Sequence, residues 1–331
     1  MAKYVPDATT KRWVVIAPDR MKRAHDVSDT SQVVNPQHPS EQTLHHHLTQ
    51  RETGKFVSSK PTPIQLGSSV VSGTDVTHLH ASCPFCPGHE RMTPPEVYRV
   101  GDGLPESAEW TVRVVPNKYP ITDIHEVIIH GPSHDMPIED MDEASIRDIL
   151  KTYRNRYRTH MDAGTVMIFC NYGDAAGASK LHPHSQVVVI PKQISLDAVS
   201  REPVANVVET TDGFTVYCPD FSQWPLETWI APNDTETSFD EQHGDDLEAL
   251  ATLLKRTLRR IRSVVAAGGL PFDTSKGFSY NYYIAPGAPW FVRIMPRLIH
   301  RAGFELGTGL SVNVVDPVDA AELLRNQKTG D

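Results

Sequence analysis

Gly177-Ala178-Ser179-Lys180-Leu181-His182-Pro183-His184-Ser185-Gln186 runs straight into the apolar stretch Val187-Val188-Val189-Ile190. Side chains alternate faces along an extended chain, so His182, His184 and Gln186 are expected on one side of a buried strand. Pro183 has no N–H to give to a ladder, which puts the histidines at the lip of a sheet rather than in its middle. Two imidazoles and a carboxamide then stand side by side behind a Gly/Ala/Ser loop. Backbone amides in such a loop can approach an anion closely, and Ser179 adds a hydroxyl donor.

Working outward, the elements around this strand repeat. Trp110–Val115 alternates as a strand and ends at Asn117, a residue placed to face a ribose or base or simply to make the turn. Glu126–Ile129 is the next strand. Residues 141–160 carry apolar positions at Ile146, Ile149, Leu150, Tyr153 and Tyr157, which predicts a helix. Thr165–Phe169 then leads through Asn171-Tyr172-Gly173 into the quoted loop. The second half has the same order: strand Thr228–Pro232, a helix with Leu247, Leu250, Leu254, Leu258, Ile261 and Val265, and strands 279–284 and 290–295. Asp316-Pro317 caps a last helix to Asn326. The repetition predicts an α+β chain of two domains built by internal duplication, with antiparallel sheets and helices packed on them. The boundary is expected at 195/196, and the second copy has lost the strand histidines.

Upstream lies Cys83-Pro84-Phe85-Cys86-Pro87-Gly88-His89. Cys-x-x-Cys with Pro and Gly is a knuckle that points two thiolates at one tetrahedral ion, so two more ligands must come from elsewhere. His182 is one candidate, because His184 would then be left for chemistry, and His134 is another. His78, His80, His89 and His130 compete. A redox pair is the alternative reading, without thioredoxin-like surroundings to support it.

The chain has 331 residues, 39% hydrophobic and 22% charged, which describes an ordinary globular protein of up to two domains. A formal charge of −9 argues against general nucleic-acid binding. No run of about 18 apolar residues marks a membrane span, and the N-terminus has no apolar signal region. Four cysteines, two of them in the knuckle, predict a reducing, cytoplasmic setting rather than a disulfide framework. Arg20, Lys22 and Arg23 follow the short strand Trp13–Ala17 as a candidate diphosphate clamp. Residues 24–77, rich in Ser, Thr, Pro and His, are expected to form a long insertion.

A histidine near neutral pKa attacks phosphorus through one ring nitrogen while a hydrogen bond fixes the other. Gln186 and Ser179 would supply donors to the phosphoryl oxygens. Zinc-activated water is the competing chemistry, and it needs an open coordination position.

At these residues the chain resembles the galactose-1-phosphate uridylyltransferase family, the double-domain branch of the histidine-triad superfamily. The likeness spans nearly the whole chain apart from 24–77. It implies two histidine-triad-like domains and one structural zinc on Cys83, Cys86, His134 and His182. It implies nucleotidylation of His184 and phosphoryl contacts from Ser179 and Gln186. Arg20 and Arg23 correspond to the paired arginines on the diphosphate, Asn117 and Asn171 to substrate contacts, and Glu305 to the sugar-binding glutamate. The substrates implied are an NDP-sugar, with UDP-glucose first, and a sugar 1-phosphate or phosphate, exchanged by ping-pong in a homodimer whose sites borrow residues across the interface. Two departures stand out. Ala178-Ser179-Lys180-Leu181 replaces the usual run before His-Pro-His, and Phe291 and Arg293 stand where a second metal site needs histidines, so that site is expected to be absent. The segment Gly303-Phe304-Glu305-Leu306-Gly307-Thr308-Gly309 looks like the branch that includes ADP-glucose phosphorylases, which makes an ADP-sugar phosphorylase the alternative. A nucleotide hydrolase and a non-catalytic nucleotide-binding zinc scaffold are the remaining rivals.

Overall fold

One antiparallel sheet carries both halves of the chain. The computed structural model describes residues 3–6, 13–17, 20, 82–196, 201, 203–268, 270, 272 and 277–327. The first half supplies β3 (Tyr98–Val100), β4 (Val112–Pro116), β5 (His125–Ile129), α1 (Glu143–His160), β6 (Thr165–Tyr172) and β7 (His184–Ile190). The second supplies β8 (Val207–Thr210), β9 (Phe214–Tyr217), β10 (Thr228–Pro232), α2 (Gly244–Ala266), β11 (Tyr280–Ile284) and β12 (Val292–Pro296). Lys3–Pro6 (β1) and Trp13–Ile16 (β2) pair as a separate ribbon. Two short helices close the chain, α3 (Gly303–Thr308) and α4 (Pro317–Arg325).

The order across the ten-stranded sheet is β3-β4-β5-β7-β6-β11-β12-β10-β9-β8. Read inward from either edge, the two halves give the same sequence of elements. They meet where β6 pairs β11, with Phe169 opposite Tyr283 and Asn171 opposite Asn281. The expected α+β architecture of antiparallel strands with helices packed on them is present, and the halves share one sheet: the inner edge of each is closed by the other, which removes two open ladders. The expected 195/196 division falls in the connection between β7 and β8.

Both long helices cover one face of the sheet. The stripe Ile146, Ile149, Leu150, Tyr153 and Tyr157 of α1 joins Leu247, Leu250, Leu254, Leu258, Ile261 and Val265 of α2 in a single buried core. Beneath them lie Val114, Ile128, Ile168, Val187 and Val189 from the first half and Val216, Ile230, Tyr282 and Ile294 from the second. Asp142 caps α1 by accepting from Ser145 N at 2.7 Å, and Asp316 caps α4 by accepting from Val318 N at 2.8 Å. A buried polar network crosses this face. Tyr153 Oη lies 2.7 Å from Tyr282 Oη and is also bonded to Ser185, whose Oγ is 2.6 Å from His130 Nε2. Fully satisfied networks of this kind fix one arrangement of a core. This one ties α1, β7 and β11 together.

The sequence reading found every strand from β4 to β7 and from β10 to β12, to within a few residues at the ends. β1, β3 and the β8–β9 hairpin are not legible in the sequence, because strands of three or four residues carry too little alternation to register. The sequence reading left Gly303–Gly309 without regular structure, whereas Gly303–Thr308 is helical and Gly309, at φ 75°, ends it. The insertion 24–77 lies outside the described residues, as does Arg23.

Candidate active site

The site occupies the sheet face away from the helices, at the start of β7. Register puts Gln186 opposite Val127 on β5 and Phe169 on β6, and puts His184 opposite Ile129. His184 and Gln186 therefore share the open face while Ser185 turns to the helices. His182 stands before Pro183, outside the strand, and its fully buried ring turns instead to the cysteine knuckle.

Cys83, Cys86, His134 and His182 are all buried, with one donor atom from each lying within 4.8 Å of the others. Cys86 Sγ is 3.3 Å from His134 Nδ1 and 3.6 Å from His182 Nδ1, and Cys83 Sγ is 3.8 Å from His182 Nδ1. A tetrahedral zinc with sulfur at about 2.3 Å and nitrogen at about 2.0–2.1 Å separates those atoms by roughly 3.6 Å. The donor set fits such an ion. His182 Nε2 lies 2.8 Å from Gly131 O. A carbonyl only accepts, so Nε2 carries the proton and the Nδ1 lone pair faces the sulfurs. Burial, with Cys83 beside it, pushes the Cys86 thiol up to about 12. A cation at the centre is what makes thiolates of such a pair.

The competing histidines have other tasks. His89 Nδ1 donates to Cys83 O at 2.7 Å and so holds the knuckle. His130 belongs to the buried core network, and burial, then the neighbouring His184 and His182, hold its pKa well below the usual imidazole range. His78 and His80 lie outside the described residues.

A cavity of about 280 Å³ opens in front of His184, lined by the knuckle residue Phe85, by Met92 and Pro94, by Asn117 and Tyr119, and by Ser179, Lys180 and Gln186. His184 Nδ1 lies 2.9 Å from His182 O, again an acceptor only, so the proton is on Nδ1 and Nε2 keeps the lone pair. Phe85 packs on the His184 ring with centroids 5.3 Å apart. One knuckle residue thus joins the Cys/His cluster to the His184 ring, a role its position between two cysteines gave no hint of. Ser179, 8% exposed, reaches the cavity from the loop between β6 and β7. Arg20 donates to Tyr119 O at 2.9 Å, which brings it to the Asn117–Tyr119 wall.

Asn171 and Glu305 are placed differently from a simple pocket lining. Continuing the β6–β7 register by one residue beyond the Cys170–Ser185 pair sets Asn171 level with His184 on the open face, yet it does not line the cavity. Its Oδ1 accepts from Asn281 Nδ2 at 2.8 Å, and Asn281 also donates to Ala176 O at 3.0 Å. Glu305 accepts from Ala302 N at 3.0 Å on α3 and is not part of the cavity wall. In the second half, Phe291 stacks on Trp229 with centroids 4.1 Å apart. Arg293 pairs with buried Glu227 at 2.7 Å and 3.1 Å.

The family model for the N-terminal domain of galactose-1-phosphate uridyl transferase matches residues 121–190, the span that holds β5, α1, β6 and β7. An ADP-glucose phosphorylase from Arabidopsis thaliana is 28% identical over 96% of this chain and 91% of its own length. The chain is similar to members of the galactose-1-phosphate uridylyltransferase family. A galactose-1-phosphate uridylyltransferase from Saccharomyces cerevisiae is 26% identical over 60% of this chain and 65% of its own length. A solved structure of an Arabidopsis thaliana ADP-glucose phosphorylase with bound ADP-glucose shares the fold, with TM-score 0.64 and 24% identity, covering 99% of this chain and 100% of that one. By name, the first of these sequence relatives acts on ADP-glucose and the second transfers a uridylyl group to galactose 1-phosphate. No helix among the described residues is long and apolar enough to cross a membrane.

Sequence reasoning did not single out His125 or Asn281 at this site. His125 begins β5 on the alternation that includes Val127 and Ile129, so its face was readable. Its partner, however, lies 61 residues away on β7. Asn281 is as remote from the loop it holds.

Proposed function

We propose that the chain is a nucleotidyltransferase working by double displacement through His184, with an NDP-sugar as donor and inorganic phosphate or a sugar 1-phosphate as acceptor. The observation that carries this reading is the hydrogen bond from His184 Nδ1–H to the carbonyl of His182, which presents the Nε2 lone pair to a cavity. In the first half-reaction Nε2 forms a bond to the α-phosphorus, the bond from that phosphorus to the bridging oxygen breaks, and sugar 1-phosphate leaves. The ring then carries positive charge, and the His182 carbonyl accepts a stronger, charge-assisted hydrogen bond. In the second, an oxygen of the acceptor phosphate attacks phosphorus and the N–P bond breaks, returning neutral His184. Gln186 and Ser179 donate to the equatorial oxygens, where charge is held in the transition state. Arg20 lies near enough to the wall to serve the diphosphate, and Asn171, fixed by Asn281, faces the same level as His184.

Zinc suits the Cys83–Cys86–His134–His182 cluster, and its contribution there is a closed structural centre that anchors the knuckle. Four protein donors leave no open position for an activated water. ADP-glucose is the donor placed first, because the relative named for it matches 96% of this chain against 60% for the uridylyltransferase. UDP-glucose is the second reading, supported by the family model over residues 121–190. A homodimer is part of the proposal. Phe304, Leu306, Leu310 and Val314 are 54–74% exposed along one short tail, a patch suited to a second copy, which would also bring Glu305 to a site.

Intact-protein mass after incubation with ADP-glucose and, separately, UDP-glucose tests the reading. The expected result is an acid-labile gain of one nucleotidyl group, larger with ADP-glucose and absent from His184→Ala. No adduct from either sugar nucleotide, in zinc-loaded protein, overturns double displacement.

A further inference from the structure

The amide of Gln186 can face the cavity with either its oxygen or its nitrogen, and only the nitrogen stabilises phosphoryl transfer. What decides the orientation lies behind it. His125, 4% exposed, places Nε2 2.9 Å from Gln186 Oε1. Its other nitrogen, Nδ1, receives Ile121 N at 2.9 Å. A backbone N–H can only donate, so Nδ1 is the acceptor and the neutral ring must carry its proton on Nε2. That proton goes to Gln186 Oε1.

Asn117 Nδ2 also lies 3.1 Å from His125 Nε2 and on its own would favour the opposite tautomer. It does not win. Asn117 cannot turn its oxygen to the ring, because Oδ1 already accepts from Tyr119 N at 2.8 Å, and Ile121 N–H still denies Nδ1 a proton. The imidazole is therefore fixed from the backbone of the β4–β5 turn, and Asn117 Nδ2 abuts it as a second donor.

We propose that His125 is the positioning residue that sets the amide of Gln186. Its Nε2–H holds Oε1 and thereby turns the Gln186 NH2 toward the transferred phosphoryl group. The proposal rests on the reading of Gln186 as a phosphoryl donor. It makes the strand pair β5–β7, with Val127 opposite Gln186, a device for setting one dipole. An amide turned the other way would aim oxygen at an anion, replacing attraction with repulsion.

The test is single-turnover formation of the nucleotidyl enzyme in His125→Ala, Gln186→Ala and the double variant, with zinc content and melting temperature measured alongside. Loss of one such donor slows transfer roughly 10²–10³-fold, and Gln186→Ala is expected in that range. His125→Ala is expected to fall by roughly ten- to a hundredfold with zinc retained, and the double variant to be no slower than Gln186→Ala. His125→Gln, whose amide nitrogen reaches the same place, is expected to recover most of the rate, while His125→Met, of similar length without a donor, is not. That pair also decides the matter if His125→Ala fails to fold. A slow Gln186→Ala with fully additive losses in the double variant, or equal rates for the Gln and Met variants, overturns the positioning role alone. A Gln186→Ala variant at full rate overturns the reading of Gln186 and the proposal together.

Discussion

At the scale of single residues, this chain uses hydrogen bonds to backbone groups to set the state of its imidazoles. His182, His184 and His125 each have one ring nitrogen opposite a backbone carbonyl or N–H, so each tautomer follows from main-chain geometry. A different residue governs behaviour in acid. Glu126, on the helix face of β5, is buried, which by itself would raise its pKa. His160 and the bidentate Arg156, at 2.6 Å and 2.8 Å, hold it below the usual carboxylate range. A carboxyl depressed in the folded state stabilises above its unfolded pKa of about 4.3, and that contribution is lost as pH falls through the folded value. Glu126→Gln is therefore expected to cost roughly 3–5 kcal/mol at pH 7, since it breaks a buried pair, with the gap to the parent closing below about pH 4. Melting curves across pH 3–7 check this, and a constant gap would show that the carboxylate charge contributes nothing.

At the scale of elements, the loop between β6 and β7 depends on the second half of the chain. Asn281 on β11 spends both amide hydrogens on it, one on Asn171 and one on Ala176 O. Gly173 opens the loop at φ 82°, and a Cβ there would stand 2.2 Å from Ser279 Oγ and 3.0 Å from Ser279 Cα. Neither the conformation nor the space admits another residue. Gly173→Ala must push Ser179 away from His184, and a misplacement of about 1 Å costs roughly 10²-fold. The expected outcome is that loss in nucleotidyl-enzyme formation with zinc content unchanged; an unimpaired rate would show that Ser179 needs no such support. These dependencies also mark what the sequence could reveal. His-Pro-His, the knuckle and the helical stripes were legible because each is a local pattern with a local cause. His125, Asn281 and Phe85 were not, because their roles come from register and packing between segments 61, 105 and 99 residues apart.

At the scale of the molecule, the repeated order of elements was legible as a plan of two halves, but the way the halves meet was not. Periodicity reports which face of a strand is buried; it does not report which strand lies beside it. The join of β6 to β11 carries a practical consequence. Cutting the chain in the β7–β8 connection severs no ladder among the described residues, yet each fragment would be left with a bare strand edge at Thr165–Tyr172 or Tyr280–Ile284. Bare edges of this length recruit other chains. Expressed alone, either fragment is expected to aggregate. Expressed together, the two are expected to reassemble and regain His184 labelling, which co-purification and mass measurement would detect. Soluble, monomeric fragments would show instead that each half closes its own edge. In the expected case the chain is a two-piece reporter, in which a single strand pair couples reassociation to the return of the chemistry proposed for His184.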